Sequence, residues 1–473
     1  MPIPLAALGL PSLLAIAALA AGCAVLPENA PRNKPEIPLA QRAPDRPRPP
    51  RDVVGENAIA LSFSGGGLRA SAFAHGALTG LAGMPGAGNA QLLEDVSFIT
   101  SVSGGSITAA WFGLHGREGL ATFREAALLR DGEADLRFSL LNPLNLARLA
   151  GGGLNDRGNF HRWLEEDVFK GATYADFFRR GRPDIWINAT NAYHRLAFPF
   201  HQRAFEAICS DLASLPVSEA VAASMAVPMF ITPVVLQKFP DHCTTPIPAW
   251  MNDPTAAEGK PLLMAALGRA VRDFRDPTTG RYLKLIDGGI TDNFGLVSIL
   301  QSRLIMGTPH DPMTARDAQV VRNLLFVVVD AGQGPSGTWT REIAGPGGID
   351  VATAAIDAAI EANVRMSYDS FVTMTRAWRD EIIGYRCALP AENVAALRRE
   401  RANWRCDDVT FEVARIAFDD LGRERARRLH AIPTRLKLPA DDIDELIAAG
   451  RDALLANPTV TGYQWRVINA GSR

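Results

Sequence analysis

Charge of either sign is nowhere concentrated in this chain of 473 residues: 49 Lys and Arg stand against 51 Asp and Glu, a formal net charge of -2. That balance supplies no field to gather nucleic acid, and short basic clusters such as 398–401 are the size of a solvated helix face. No internal period is present, which excludes repeat architectures. Histidine is scarce, with eight residues, and no cluster has metal-ligand spacing; Asp241, His242 and Cys243 alone are too little for a zinc or calcium site. One apolar run, 5–21, comes near membrane length. It is short of the ~20 residues a bilayer needs and contains Pro11, which argues against a spanning helix. What is present is an ordinary globular composition, 47% apolar and 21% charged, long enough for one large or two medium domains.

The apolar run ends in Ala20, Ala21 and Gly22 just before Cys23. It reads as a signal peptide, 1–22, and the AAGC end resembles a bacterial lipobox. The run is preceded by no Lys or Arg, and Ala20 stands where Leu is commoner. On this reading Cys23 is acylated and holds the protein on a membrane. The alternatives are an ordinary cleaved signal peptide and an uncleaved anchor. Ala24 is not the aspartate that retains lipoproteins at the inner membrane of enteric bacteria, so the expected location is the bacterial cell envelope, at the outer membrane facing the periplasm. Residues 25–50 are polar and carry eight prolines, as a semi-extended tether does, and 23–54 is assigned to anchor and tether together. Export fits the remaining cysteines, Cys209, Cys243, Cys387 and Cys406. They allow three connectivities, of which pairing between sequence neighbours is the simplest; buried free thiols are the alternative.

Beyond the tether, short apolar runs alternate with helical patterns, the mark of βαβ units. Strands are expected at 58–63, 96–100, 184–189, 282–286 and 323–330. The last contains LLFVVVD and is continuous enough to be buried on both faces. Helices are expected at 69–81, 106–115, 217–224 and 351–366. The fold class is therefore α/β, three-layered, with a largely parallel central sheet flanked by helices. Two stretches, 128–180 and 237–280, interrupt the rhythm as insertions, and either could serve as a lid. The body is divided into a catalytic domain, 55–373, and a helical C-terminal extension, 374–473, which packs as a subdomain rather than continuing the sheet.

Three motifs carry chemistry. In SFSGGGLRASAFAHG, 62–76, Gly65, Gly66 and Gly67 lie between a strand and a helix, where glycine lets backbone N–H groups face a cavity. Neither the P-loop ending nor the dinucleotide fingerprint fits. Arg69 follows in the first helical turn; it forms a surface ion pair, braces the loop or meets an anionic head group. In SVSGGS, 101–106, Ser103 stands between an apolar run and a helix, as in a nucleophile elbow, with Ser101 in place of the usual first glycine. In LIDGGITDN, 285–293, Asp287 ends a strand and is followed by Gly288 and Gly289, which permit close approach to another backbone. The alternative is an Asp that caps a turn; Asp292 and Asn293 are read as shaping that turn. A Ser-His-Asp triad would need His75 or His115 beside Ser103, and His75 is read as helix packing.

In this order, glycine-rich loop, serine elbow and Asp-Gly-Gly, the chain resembles patatin-like phospholipases. The variant SGGGLRA is also similar to the group-IV cytosolic phospholipases. AASMAVPMFITPV, 222–234, resembles the segment that packs beneath the site in the family. The resemblance implies Ser103 as nucleophile and Asp287 as its general base, a dyad acting through an acyl-enzyme. It implies the amides of Gly65, Gly66 and Gly67 as oxyanion hole, with Arg69, Gly105, Gly288 and Gly289 in support. No cofactor or metal is implied, and membrane lipids are the expected substrates. The leading expectation is a phospholipase or lysophospholipase. The rivals are a broader esterase or acyltransferase, and a tethered scaffold that has lost turnover.

Overall fold

A computed structural model describes residues 28–43, 45–139, 141–252, 259–334, 343 and 345–470. The expected signal peptide and Cys23 lie outside these. Strands β1 (Lys34–Pro35), β2 (Asn57–Phe63), β3 (Val96–Val102), β4 (Gly153–Asn155), β5 (Asp184–Asn191), β6 (Leu196–Phe200), β7 (Ser210–Asp211), β8 (Met229–Ile231), β9 (Val234–Gln237), β10 (Tyr282–Asp287), β11 (Asn323–Asp330) and β12 (Thr410–Ala417) are joined by helices. Those used below are α1 (Gly67–Gly83), α2 (Gly104–His115), α3 (Pro143–Ala150), α4 (Gln202–Ala207), α5 (Val217–Ser224), α6 (Leu262–Arg275), α7 (Leu296–Met306), α8 (Gly348–Cys387) and α9 (Ala440–Ala456).

The main sheet runs β12-β11-β2-β3-β5-β10-β9, with β6 also on β5. The strands from β12 to β5 pair in parallel, whereas β10, β9 and β6 are antiparallel to their neighbours. Both faces are covered, which is why the parallel strands are apolar at successive positions. In β2, Ile59, Leu61 and Phe63 share one core with residues of α1, α2 and α9. Ala58 and Ala60 point the other way, into a second core with Leu296 and Ile299 of α7 and Phe371 and Trp378 of α8. The same alternation divides β11, with Leu325, Val327 and Val329 on the first side and Leu324, Phe326 and Val328 on the second. This is the three-layer α/β arrangement, with a mostly parallel sheet, that the sequence implies.

Two expectations need correction. The C-terminal region is helical but does not stand apart from the sheet, because β12 pairs with β11 along its whole length, Asn323 with Thr410 through Asp330 with Ala417. Helix α9 lies against α1 so closely that a Cβ at Gly76 would collide with the Ile447 carbonyl, and one at Gly450 with the Phe73 carbonyl. The expected boundary at residue 373 falls inside α8. Nor is the proline-rich segment free from residue 28 onward. Strand β1 pairs with β7, and Arg32 reaches Glu165 and Glu219. Buried Glu36 accepts hydrogen bonds from Thr244 N (3.1 Å), Thr245 Oγ1 (3.0 Å) and Arg42 Nη2 (2.8 Å). Composition reported this stretch as polar and stiff, but not that its polar groups have partners far along the chain. The disulfides are Cys209–Cys243 and Cys387–Cys406, the neighbour pairing.

Candidate active site

Sheet register brings the two remote motifs together. Val102 of β3 pairs with Asn188 of β5, and the next residue of β5, Ala189, pairs with Asp287. Ser103 therefore leaves β3 beside the end of β10, and its Oγ donates to Asp287 Oδ2 at 3.0 Å across 184 residues of sequence. Ser103 sits in a sharp turn with φ 49° and ψ -125°, immediately before the twelve residues of α2. Such a conformation is costly for a residue with a side chain and persists only where neighbours hold it. They do: Ser103 N donates to Ser224 Oγ (2.7 Å), and that hydroxyl donates to the Asn188 carbonyl (2.6 Å). Asn188 is itself fixed through Nδ2 to Thr100 Oγ1 (2.8 Å) and Ser101 O (2.9 Å), and accepts from Ser298 Oγ (2.6 Å).

Asp287 is 7% exposed and Ser103 8%. Burial pushes the Asp287 carboxyl up to about 6, opposed by the Gly289 N–H and by Ser103. Gly289 N donates to Oδ1 at 2.8 Å, leaving Oδ2 to the serine. Gly288 admits no side chain, since a Cβ there would meet the Asn188 carbonyl, and its N–H donates to Ser224 O at 3.2 Å. Gly105 is equally confined, with Phe63 and the Ser64 carbonyl within 3 Å of where a Cβ would stand. The segment 222–234 does lie beneath the pair: besides Ser224, Ala226 O accepts from Asp287 N at 2.9 Å.

The glycine loop follows β2, at the same sheet end as Ser103. Gly66 and Gly67 have φ 139° and 59°, angles that favour glycine. Gly67 packs so tightly on Gly104 that a Cβ on Gly104 would overlap its backbone. Two helices thus begin at one point, α1 and α2, and their N-terminal N–H groups give it a positive potential. One amide of the expected trio is otherwise engaged. Gly65 N donates to both O and Oδ1 of Asn293, at 3.2 and 3.1 Å, so it holds the Asp-Gly-Gly turn instead of facing a substrate. Arg69 braces this loop from within. It is 2% exposed, Nε donates to Ala331 O (3.1 Å), and Nη1 donates to Ile432 O (2.8 Å). That excludes the surface ion pair and the head-group contact. Asp292 accepts from Phe294 N and Val297 N, as a turn-shaping residue does.

The sequence signature described as patatin-like phospholipase matches residues 61–299, just over half of the chain. The chain belongs to the patatin-like phospholipase family. Among solved structures this patatin-like chain is similar to human GIVD cytosolic phospholipase A2 at 13% identity, covering 59% of this chain and 46% of that one, with a TM-score of 0.33. It thus spans less than half of that protein's length. It is also similar to VipD from Legionella pneumophila at 13% identity, covering 87% of this chain and 73% of that one, with a TM-score of 0.27. Neither likeness is close enough to carry residues across. A search of curated proteins finds no match.

No imidazole hydrogen-bonds to Ser103 or Asp287 among the described residues. His75 is buried against Phe123, 5.1 Å between ring centroids, and burial lowers it to about 4. His115 packs against Trp111 at the far end of α2, their rings tilted by 47°. The residues that motif reading missed in this patatin-like site are Asn188 and Ser224; Asn293, read as shaping the turn, also holds Gly65 through its side chain. Serine and asparagine in apolar runs were the available signal, since a buried polar group needs a partner. Beside the site is an apolar surface: Val227, Met229 and Phe230 are more than a third exposed, as are Phe138, Leu141, Leu144 and Leu146. The pairing of β4 with β8 and the packing of α3 on β4 bring these side chains to one region.

Proposed function

We propose that this chain is a lipid acyl hydrolase of the phospholipase or lysophospholipase type, working through a Ser103–Asp287 dyad. The observation that carries the reading is the 3.0 Å hydrogen bond from Ser103 Oγ to a buried carboxylate, with no imidazole bonded to either residue among the described residues. Serine is a poor nucleophile until a base takes its proton, and a carboxyl raised to about 6 by burial is a competent base near neutral pH. As Oγ bonds to the ester carbonyl carbon, Asp287 takes the hydroxyl proton and the carbonyl electron pair moves onto oxygen. The oxyanion lies among the amides of Gly66, Gly67 and Gly104, each such donor lowering the barrier by roughly 3 kcal/mol. Collapse breaks the ester C–O bond, and the leaving alcohol takes the proton from Asp287. Water then attacks the acyl-serine, giving its proton to Asp287; fatty acid departs and the proton returns to Ser103.

The exposed leucines and aromatics beside the site support a lipid surface as the place of action, because a patch of that kind is unfavourable in water. We also propose that Cys23 is acylated and that the protein is an envelope lipoprotein facing the periplasm. Incorporation of labelled palmitate into the full chain, lost in Cys23→Ser, tests the anchor. For the chemistry, a fluorophosphonate probe is expected to label the wild type and not Ser103→Ala. Fatty acid release from phospholipid micelles is expected to fall by roughly 10²–10⁴-fold in Asp287→Asn. An unlabelled, inactive wild type would favour the scaffold reading. Acyl transfer to labelled glycerol in preference to water would make the enzyme a transferase.

A further inference from the structure

Helix α3 is built inside out. Of its eight residues only Asn145 is buried, tied through Nδ2 to the Ser139 carbonyl at 2.8 Å, while Leu144 and Leu146 are exposed. Leu141, just before it, is 96% exposed. A helix surrounded by water ordinarily turns its leucines toward the core and its polar residues outward. Beside these leucines stand the exposed Met229 and Phe230 of β8, which pairs with β4, the strand that α3 packs on. Val227 continues the surface to the catalytic pair, because the preceding residue, Ala226, accepts from Asp287 N at 2.9 Å. Arg137 and Arg148 flank it, hydrogen-bonded to the Leu154 carbonyl at 3.3 Å and to Asn145 Oδ1 at 3.0 Å, not to a carboxylate among the described residues.

Residues 28 and 29 are pinned against this same surface. Glu28 N donates to Asp156 Oδ2 at 3.2 Å, and the Glu28 carbonyl accepts from Arg157 N at 3.3 Å. Asn29 Nδ2 donates to the Pro233 carbonyl. Asp156 directly follows β4, and Pro233 comes two residues after β8. Glu28 is therefore fixed at the end of the strand pair that carries Met229 and Phe230. Cys23 lies five residues earlier, a span of at most about 18 Å even when fully extended. An anchor at that position holds a membrane within short reach of the exposed leucines and of the mouth of the site. The flanking arginines suit the phosphates of anionic lipids there.

We propose that Leu141, α3 and Phe230 dock into the membrane that carries Cys23, so that the enzyme draws its substrate from its own leaflet instead of reaching across to another surface. This rests on the anchored hydrolase proposed above. The test uses the full-length, palmitate-bearing protein in vesicles of phosphatidylcholine and phosphatidylglycerol, with a nitrobenzoxadiazole dye attached at Leu141→Cys or at Trp465→Cys. Trp465 is exposed and lies at the end of α1 far from the site, where its neighbour Gln464 bonds to the Pro85 carbonyl. The dye at 141 is expected to brighten severalfold and to be quenched by spin-labelled lipid, and the dye at 465 to do neither. Leu141→Asp with Phe230→Asp is expected to cut fatty acid release from the protein's own vesicles at least about tenfold, with hydrolysis of a short-chain soluble ester unchanged. When protein-free vesicles bearing a different acyl label are mixed in, the wild type is expected to hydrolyse its own vesicles at least about tenfold faster. The proposal is overturned if the dye at 141 stays in water, if both positions enter the membrane alike, if the double variant keeps full release, or if the two vesicle populations are hydrolysed equally. Failure of Cys23 to take palmitate counts against the anchor alone; the dyes are then read on Cys23→Ser mixed with vesicles, where position 141 is still expected to enter. A docked protein that releases no fatty acid counts against the dyad alone.

Discussion

Replacing Asp287 by Asn separates what this carboxyl does for catalysis from what it costs the fold. The amide is isosteric: its oxygen accepts from Gly289 N as Oδ1 does now, and its nitrogen faces Ser103 Oγ. What changes is charge. The folded value of about 6 lies above the ordinary 3.8, so the folded state holds the proton more tightly than the unfolded one. The wild type therefore has its full relative stability below about pH 4 and loses it as the pH rises through about 6. A gap of about 2 pH units corresponds to about 3 kcal/mol. At pH 8 Asp287→Asn is expected to be the more stable protein by up to that amount, with the advantage fading to nothing at pH 4. Asp184 and Asp292, also raised to about 6 by burial, are common to both proteins and cancel in the difference. Thermal melts of the two proteins across this range give the comparison. In parallel, wild-type kcat/KM should fall tenfold per pH unit below about 6, and the variant should lose roughly 10²–10⁴-fold in rate. A stability difference that does not vary between pH 4 and 8 would refute the charged, buried carboxylate and with it the base.

Other perturbations follow from the surrounding contacts. Ser224→Ala leaves the buried Ser103 N–H without its acceptor; it is expected to cost about 1–3 kcal/mol in a thermal melt and to lower kcat more than KM on a soluble ester. Glu219→Gln strips the counter-charge from Arg157, 2.8 Å away and nearly buried, and weakens the hold on Arg32. A loss of about 3–5 kcal/mol is expected, with faster proteolysis of the segment around residue 32. Leu144→Asp with Leu146→Asp, both exposed on α3, should reduce binding to phospholipid vesicles by at least about tenfold, since each leucine contributes about 1.5–3 kcal/mol when it leaves water. Hydrolysis of a short-chain soluble ester should be unaffected by that pair.

Much of this was legible because periodicity and turn chemistry are local. Strands β2, β3, β5, β10 and β11 lie within two residues of their expected bounds, and helix α5 at its expected ones. The serine elbow and the Asp-Gly-Gly turn were visible as short texts, and the sheet brings their side chains into contact. What was not legible is non-local. Nothing in NAIALSF says that its strand pairs with β11 from the other half of the chain, or that β10 runs against β5. That Gly65 would be taken by Asn293 depends on a contact across 228 residues, which no motif encodes. Charged and polar residues of 374–473 suggested a separate helical body, because an edge strand such as β12, half exposed along TFEVARIA, carries a weak alternation. The same holds for the proline-rich segment, whose anchoring residues Arg32, Asn33 and Glu36 are ordinary polar letters until their partners are known.

The family match starts inside β2 and stops inside α7, yet the sheet does not stop there. Strand β2 has β3 on one side and β11 on the other, and β11 comes after the match has ended. An excised piece limited to 61–299 would carry both Ser103 and Asp287 but only the last three residues of β2 and neither β11 nor β12, leaving that side of the sheet bare. Bare rims of that sort recruit other chains into aggregates. The smallest soluble catalytic fragment is therefore set by the closing of the sheet, well beyond the stretch that bears the chemistry.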